Sequence, residues 1–512
     1  LLFEQGRGRL DPHNGQTGFW EPPGREPVEV SHVVVDDCSL PALRVTQVEG
    51  DTGEGSFSVH AQFLASASAP AEVEPDSVRV EKLDPMSGAY SPTNAVVSVT
   101  PHTGEVTARI DGLEPTKHSF RIHASDAAGQ ASQPQRVSHW VAPRAREPAD
   151  MVIYQVMVDR FRGPEGQELA PPVSPGARAG GALGGVTAAI ESGELQALGV
   201  TTLWLSPVYL NPEAARLGRD DDHLYEGYHG YWVLDPRVVD PRIGGEQALR
   251  ELVATAHRAG IGVLLDVVPN HVYEDSLRYT ERPSDAWFNV HQAGDCVCGT
   301  ATCPWSLYIQ NCWFTDYLPD FRFQTPGVID QAVADVLWWE ETFDVDGVRV
   351  DAVPMMPRAV SRRIASRLRA ATVATSETFV VGEVFTGGGQ QGIDELRFHL
   401  GPDGLNSVFD FPLMWALREA LAGSGGEGFV AVEETLEDTQ AALSGSGAVL
   451  GRMIGNHDVT RFISEAAGDA DADPWESPGL QPSEPEVYRR QQLALTLVMT
   501  LPGVPVVYYG DE

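Results

Sequence analysis

The run Val345-Asp346-Gly347-Val348-Arg349-Val350-Asp351 is short, mostly apolar and closes on two charges. A buried strand reads this way, and Arg349 and Asp351, two residues apart, then share one side of it. Helical periods flank it, at 326–341 before and 357–371 after. The unit repeats outward in both directions. Apolar strand candidates stand at 152–158, 201–205, 262–268, 345–350, 378–382, 407–411, 449–454 and 504–508, with helical stretches such as 246–259 between them. Eight strands alternating with helices predict an α/β fold, a parallel (β/α)8 TIM barrel over residues 150–512. The C-terminal strand ends of such a barrel converge on one mouth, so distant residues meet there.

Upstream the texture changes. Residues 1–28 are rich in Gly, Pro and Arg without a period and read as an arm. Residues 29–143 break into short alternating stretches, among them Ser56-Phe57-Ser58-Val59-His60-Ala61 and Ser119-Phe120-Arg121-Ile122-His123. Turn signals such as Pro101-His102-Thr103-Gly104 separate them, a spacing that predicts an all-β sandwich. Its last part, from Ile110-Asp111-Gly112-Leu113 to Ala127-Ala128-Gly129, resembles a fibronectin III or immunoglobulin-like module. The stretch 142–148 reads as a linker. Within the barrel, 272–325 carries no clear period and is expected to be a small domain inserted after strand three.

Acidic residues outnumber basic ones by 72 to 36, and the net charge of −36 repels phosphate backbones, which excludes nucleic acid as a partner. No run of about 18 apolar residues occurs, so no transmembrane segment is expected. The chain starts at Leu1 without a basic-then-apolar leader, so any signal peptide is expected to have been removed or left out. Cys296, Cys298, Cys303 and Cys312 cluster in the inserted segment, without the C-x2-C knuckles of a typical zinc site. Two disulfides are expected, over zinc or free thiols, with a direct Cys296–Cys298 bridge the least suited pairing. Disulfides imply an extracytoplasmic compartment: secreted, periplasmic or surface-attached. Cys38 has no evident partner.

Polar groups collect where four strands end. Asp266, Asn270 and His271 follow strand three, and Arg349 and Asp351 close strand four. Glu383 ends strand five, and Asn456, His457 and Asp458 follow strand seven. Cleaving a glycosidic bond takes two carboxyl groups, one to protonate the leaving oxygen and one to meet the anomeric carbon. Asp351 and Glu383, on neighbouring strands, supply such a pair. Arg349 is expected to keep Asp351 ionised and lower its pKa. Glu383, without such a partner and facing aspartates, is expected to stay protonated. His271 and His457 offer donors to sugar hydroxyls, and Tyr231 an aromatic face. A single Asp or His at a strand end is more often a cap or a hydrogen-bonding residue; four complementary strand ends are a stronger signal.

These four segments resemble the four signature regions of the α-amylase superfamily of glycoside hydrolases, in that family's order. Tyr228-His229-Gly230-Tyr231-Trp232, Leu318-Pro319-Asp320-Phe321 and Gly503-Val504-Pro505-Val506-Val507-Tyr508-Tyr509-Gly510 are similar to further family segments, and the resemblance covers roughly 150–512. It implies a retaining mechanism with Asp351 as nucleophile, Glu383 as general acid/base and Asp458 binding the distorted sugar. Arg349, His271, His457, Tyr231 and His229 would line the cleavage subsite. Trp232 would offer a platform one sugar further along, with core packing as the alternative. Asn270 and Asp320 match positions that often ligate a structural Ca2+, for which oxygen ligands are suited; a plain hydrogen-bonded Asn is the alternative.

The implied function is hydrolysis of α-1,4-glucosidic bonds in an α-glucan polysaccharide such as starch, or in a maltooligosaccharide. A glucan transferase or isomerase would use the same glycosyl-enzyme intermediate. A non-catalytic glucan-binding relative would be expected to lack carboxylates that are present here. Two departures from the family pattern stand out. Where many α-amylases carry Lys-His, three and four residues after the nucleophile, this chain has Pro354 and Met355. It also ends at Glu512, just past strand eight, where the family continues, so a C-terminal continuation is expected.

Overall fold

Eight parallel strands, numbered here barrel strands one to eight, occupy Ile153–Val156, Thr202–Leu205, Gly262–Val267, Gly347–Val350, Phe379–Gly382, Ser407–Val408, Gly451–Arg452 and Val504–Tyr508. Their spatial order is six-five-four-three-two-one-eight-seven, and a parallel bridge between Phe409 and Gly451 joins six to seven and closes the ring. The computed structural model describes residues 39–51, 55–142, 147–219, 222–282, 284–290, 296–376, 378–401, 404–423, 428–470, 473–477 and 479–512. The arm at 1–28, Cys38 and most of the linker lie outside the described residues.

Strands one to five are buried at every position, because side chains of the barrel interior pack on one face and helices such as Gly245–Arg258, Val328–Phe343 and Arg358–Ala371 flank the other. Strands six and seven are shorter than the apolar runs at 407–411 and 449–454 suggest. Asp410 explains the first: its carboxylate accepts the Leu413 N–H at 3.1 Å, and Pro412 sits in the first turn. The helix Phe411–Leu421 therefore starts where the strand was expected to continue. Gly347 opens strand four because a Cβ there would overlap the Phe379 carbonyl of strand five.

The N-terminal region is a sandwich. One sheet holds Ala42–Asp51, Ser56–Leu64, Glu105–Ile110 and Val96–Thr100; the other holds Gln135–Trp140, Lys117–His123, Arg79–Leu83 and Tyr90–Pro92. Alternate residues of Ser56–Leu64 point inward, and Phe57 stacks on Phe120 across the core with ring centroids 5.7 Å apart. The second sheet has one more strand, and it comes from the barrel: Thr372–Ala374 pairs in parallel with Gln135–Trp140. The sandwich is thus not confined to 29–143, since three residues are too few to show a period. Charges are buried along this seam. Lys117 Nζ lies 3.4 Å from Asp344 Oδ1 and 3.2 Å from Asp346 Oδ1, while Arg136 pairs with Glu340.

The segment inserted after strand three holds short helices at Leu277–Thr280 and Trp305–Tyr308 and a Phe288–Phe321 stack. Its cysteines form two bridges, Cys296–Cys303 and Cys298–Cys312. Among the described residues no helix is long and apolar enough to cross a membrane.

Candidate active site

Arg349 is the hub of the barrel mouth. Strands three and four pair with Asp266 opposite Arg349, so the guanidinium meets a carboxylate at the same height. Its Nη1 donates to both Asp266 oxygens, at 2.7 and 2.9 Å, and to Asp351 Oδ1 at 2.7 Å. Its Nη2 lies 3.2 Å from Glu383 Oε2. The expectation that Glu383 lacks a cationic partner is therefore corrected: strands four and five are neighbours, and one guanidinium reaches both candidate catalytic carboxylates. Glu383 Oε2 also accepts the Ala352 N–H at 2.8 Å.

A second wall is built from Tyr231 and His457. Gly230, at φ 90, supplies the left-handed turn that sets Tyr231 beyond His229, whose Nδ1 accepts the Tyr231 N–H at 3.0 Å. The Tyr231 hydroxyl donates to Asp266 Oδ2 at 2.8 Å and lies 2.7 Å from His457 Nε2. Its ring is parallel to the His457 imidazole, 5.4 Å away, and Gln155 Nε2 lies 2.8 Å from the other ring nitrogen. His271 Nε2 meets the Tyr231 carbonyl at 3.1 Å. Asp458 stands at the open end, its side chain 37% exposed, against 12% for Asp351 and 11% for Glu383. Two enclosed carboxyls and one open one thus face a common space.

Electrostatics correct a second expectation. Asp351 is not lowered: burial raises its pKa well above the usual range, and Glu383, Asp266 and Asp458 add to this against the pull of Arg349. Burial raises Glu383 and Asp266 as well, with Arg349 opposing in both. One guanidinium faces three carboxylates, Asp266, Asp351 and Glu383, so the ionisation of each depends on the others. Asp266 accepts from Arg349, Tyr231 and Trp204 and is the member best equipped to stay ionised. Burial also lowers His229 to about 3 and His271 to about 4, which leaves both imidazoles neutral.

Residues 155–512 match the family described as Alpha amylase, catalytic domain. The chain belongs to that family.

Curated relatives of this α-amylase-family chain include α-amylase 2 of Schizosaccharomyces pombe, 26% identical over 381 residues, covering 70% of this chain and 56% of the relative. Another is the cyclomaltodextrin glucanotransferase of Bacillus sp. strain 1-1, 26% identical, covering 70% of this chain and 49% of the relative. Against the first relatives matched, the chain spans between 23% and 56% of their length. Among solved structures, the α-amylase of Geobacillus thermoleovorans complexed with acarbose aligns with a TM-score of 0.57 at 27% identity, covering 72% of each chain.

In this α-amylase-family barrel, the remaining expected residues fall into two groups. Trp232 is 6% exposed and packs with Tyr273, Tyr317 and Leu318, so core packing describes it and an open platform does not. Asn270 and Asp320 come together at the junction of barrel and insert, where His271 and Asp320 form an antiparallel bridge. Asn270 Oδ1 and Asp320 Oδ1 are buried without a hydrogen-bond partner, while Asp320 Oδ2 accepts Asn289 Nδ2 at 2.6 Å. Burial raises Asp320 well above the usual carboxylate range, opposed only by hydrogen bonds from Asn289 and Asn270. Two orphaned oxygens at a buried carboxylate fit a hard cation. Among the described residues no group of three His, Cys, Asp or Glu side chains could hold a metal, so amide and carbonyl oxygens would complete the shell.

Sequence reasoning passed over three contributors. Asp266 stood in the strand-three motif without a role, although its register opposite Arg349 makes it the main counter-ion. Asn289 lies in the aperiodic insert and carried no signal. Phe385, two residues past Glu383, is 47% exposed and backed by Phe411 and Trp415, an apolar surface at the rim.

Proposed function

We propose that the chain carries the catalytic barrel of a retaining glycoside hydrolase that cleaves α-1,4-glucosidic bonds in starch or maltodextrins. One observation carries the reading: Arg349 bridges Asp351 and Glu383 at the barrel mouth, which places two protonatable carboxyls on one guanidinium. In the first step Glu383 gives its proton to the glycosidic oxygen as Asp351 attacks the anomeric carbon, forming a covalent glycosyl-enzyme. Asp351 attacks as the carboxylate, and the Arg349 guanidinium beside it opposes in part the burial that disfavours that charge. Glu383, now ionised, takes a proton from water, and the oxygen attacks the same carbon and releases Asp351. Asp458, the open carboxylate, holds hydroxyls of the reacting sugar, and neutral His271 and His229 add hydrogen-bonding groups at the same subsite.

A transferase is the second reading, favoured by the cyclomaltodextrin glucanotransferases among the relatives. The difference is whether water or a sugar hydroxyl attacks the intermediate. Starch, maltotriose and pullulan digests, with early NMR of the product anomer, test both readings: α-product with net reducing ends supports hydrolysis, α-product without them transfer, and β-product overturns retention.

We also propose a structural calcium held through Asn270 and Asp320, which would supply the positive charge that buried Asp320 lacks. The two disulfides and the acidic, neutral-substrate chemistry support an extracytoplasmic location.

A further inference from the structure

The turn after Asp351 grips Glu383. Ala352 has φ 49, in the left-handed region that crowds a Cβ, and it is one of two such non-glycine residues among those described. That conformation aims two successive N–H groups at strand five. Ala352 N–H donates to Glu383 Oε2 at 2.8 Å, and Val353 N–H donates to the Glu383 main-chain carbonyl at 3.1 Å. A backbone donor in a tight turn cannot swing away as a side chain can, so the turn fixes where the Glu383 carboxyl sits.

A strained non-glycine turn persists only where its surroundings over-determine it. Here the surroundings are the cysteine knot. Ala352, 6% exposed, and Met355, 4% exposed, share one buried cluster with Cys298, Cys303 and Cys312, each 0% exposed. Cys296, Ile309 and Phe314 pack at its edge. The bridges span 7 and 14 residues of sequence, which makes this patch of an otherwise aperiodic insert a stiff surface. Pro354 lies in the first turn of the short 3-10 segment Val353–Met355, where its fixed φ stiffens the same link.

We propose that the two-disulfide knot is a positioning device for the proton donor, acting by packing on Ala352 and Met355 and so holding the turn whose N–H fixes Glu383 Oε2. This rests on Glu383 being the donor. Ala352 is a positioning residue, since it acts through Glu383. Of the two residues that depart from the family's Lys-His, Met355 then couples the knot to the turn, a thioether that fills an irregular gap, while the Pro354 ring stiffens the turn itself.

Glu383 faces Arg349, Asp351, Asp458 and His457, and none of these is substituted in the variants that follow. Met355→Ala empties the contact while both bridges remain, and Met355→Leu refills it. Cys298→Ala with Cys312→Ala removes the Cys298–Cys312 bridge. Melting curves and circular dichroism establish that each variant is folded. An N–H donor favours the ionised carboxylate, so loosening it raises the alkaline limb of kcat/KM by about half a pH unit or more. Misplacement of the donor lowers kcat about tenfold, with KM for maltodextrin changed less than about twofold. Met355→Leu should restore both. A folded Met355→Ala with wild-type kcat and an unmoved limb overturns the proposal, as does a kcat loss with the limb unmoved. Activity retained in Glu383→Gln would instead overturn the donor assignment, so the two failures are told apart.

Discussion

Lys117 of the sandwich and Asp346 at the root of barrel strand four stand 3.2 Å apart, Nζ to Oδ1, inside the seam between the two domains. The same ammonium donates to the Asp344 carbonyl at 2.6 Å. Strand four carries Arg349 and leads into Asp351, so the sandwich holds the base of the strand whose tip carries the proposed nucleophile. Breaking a buried pair by removing one partner costs about 3–5 kcal/mol. Lys117→Met should lower the urea midpoint accordingly, with sandwich and barrel unfolding in one transition. Two separate transitions in the wild type would show that the seam does not couple them.

Asp351→Asn and Glu383→Gln should each lower kcat by about 10³-fold or more and leave the fold intact, because they remove nucleophilic and acid–base catalysis. A folded variant of either kind that kept a tenth of the activity would remove that residue from its role.

His229 gives a pH dependence of stability. Burial pushes its imidazole down to about 3, whereas an unfolded His takes its proton near 6.5. The native state therefore binds fewer protons between these values, so stability is full above the unfolded pKa and lost as pH falls. The slope is up to about 1.4 kcal/mol per pH unit for one such group. His229→Gln should flatten the slope of unfolding free energy between about pH 6 and 4; an unchanged slope would assign the effect elsewhere.

Calcium should stabilise the fold through Asp320. At a free concentration of about 100 times Kd the gain is about 2.7 kcal/mol, so chelator should lower Tm and calcium restore it. Asp320→Asn should remove that response. A wild-type Tm that chelator leaves unmoved would count against the site.

Product size is a further test. Pro354 has no donor and buried Met355 only a weak sulfur acceptor, where a Lys-His pair would bind the leaving-group sugar. Charge-assisted bonds are worth about 1.5–3 kcal/mol, so binding on that side should be weaker by about tenfold or more. The enzyme should release short products or prefer maltodextrins. A steep fall in starch viscosity at very low bond cleavage would contradict this.

The barrel and its mouth were legible because eight apolar runs alternate with helical periods, four of them are followed by polar or charged residues, and strand ends converge in a barrel. Arg349 and Asp351 could be set side by side, since a two-residue step keeps side chains on one face of a strand, and Glu383 and Asp458 could be set near the ends of strands five and seven. Protonation was not legible. Motif spacing shows that Arg349 is near Asp351 but not that Glu383 shares it, nor that burial outweighs its pull. Trp232 misled because an aromatic beside Tyr231 looks the same in sequence whether its ring faces the cleft or Tyr273. The Ala352 turn left no trace, as positive φ at a non-glycine residue is imposed by tertiary packing.

The strand Thr372–Ala374 ties the order of synthesis to the order of folding. The sandwich residues leave the ribosome first, yet the sheet that holds Gln135–Trp140 is completed only after more than two hundred further residues have been made. Contacts that distant in sequence form slowly. Until then the edge of Gln135–Trp140 and the side chains of Lys117 and Arg136 wait without their barrel partners, exposed to other chains. The two domains are therefore one cotranslational unit: barrel strands one to four must emerge before the N-terminal region is finished. Shuffling this sandwich onto another enzyme would transplant an incomplete sheet.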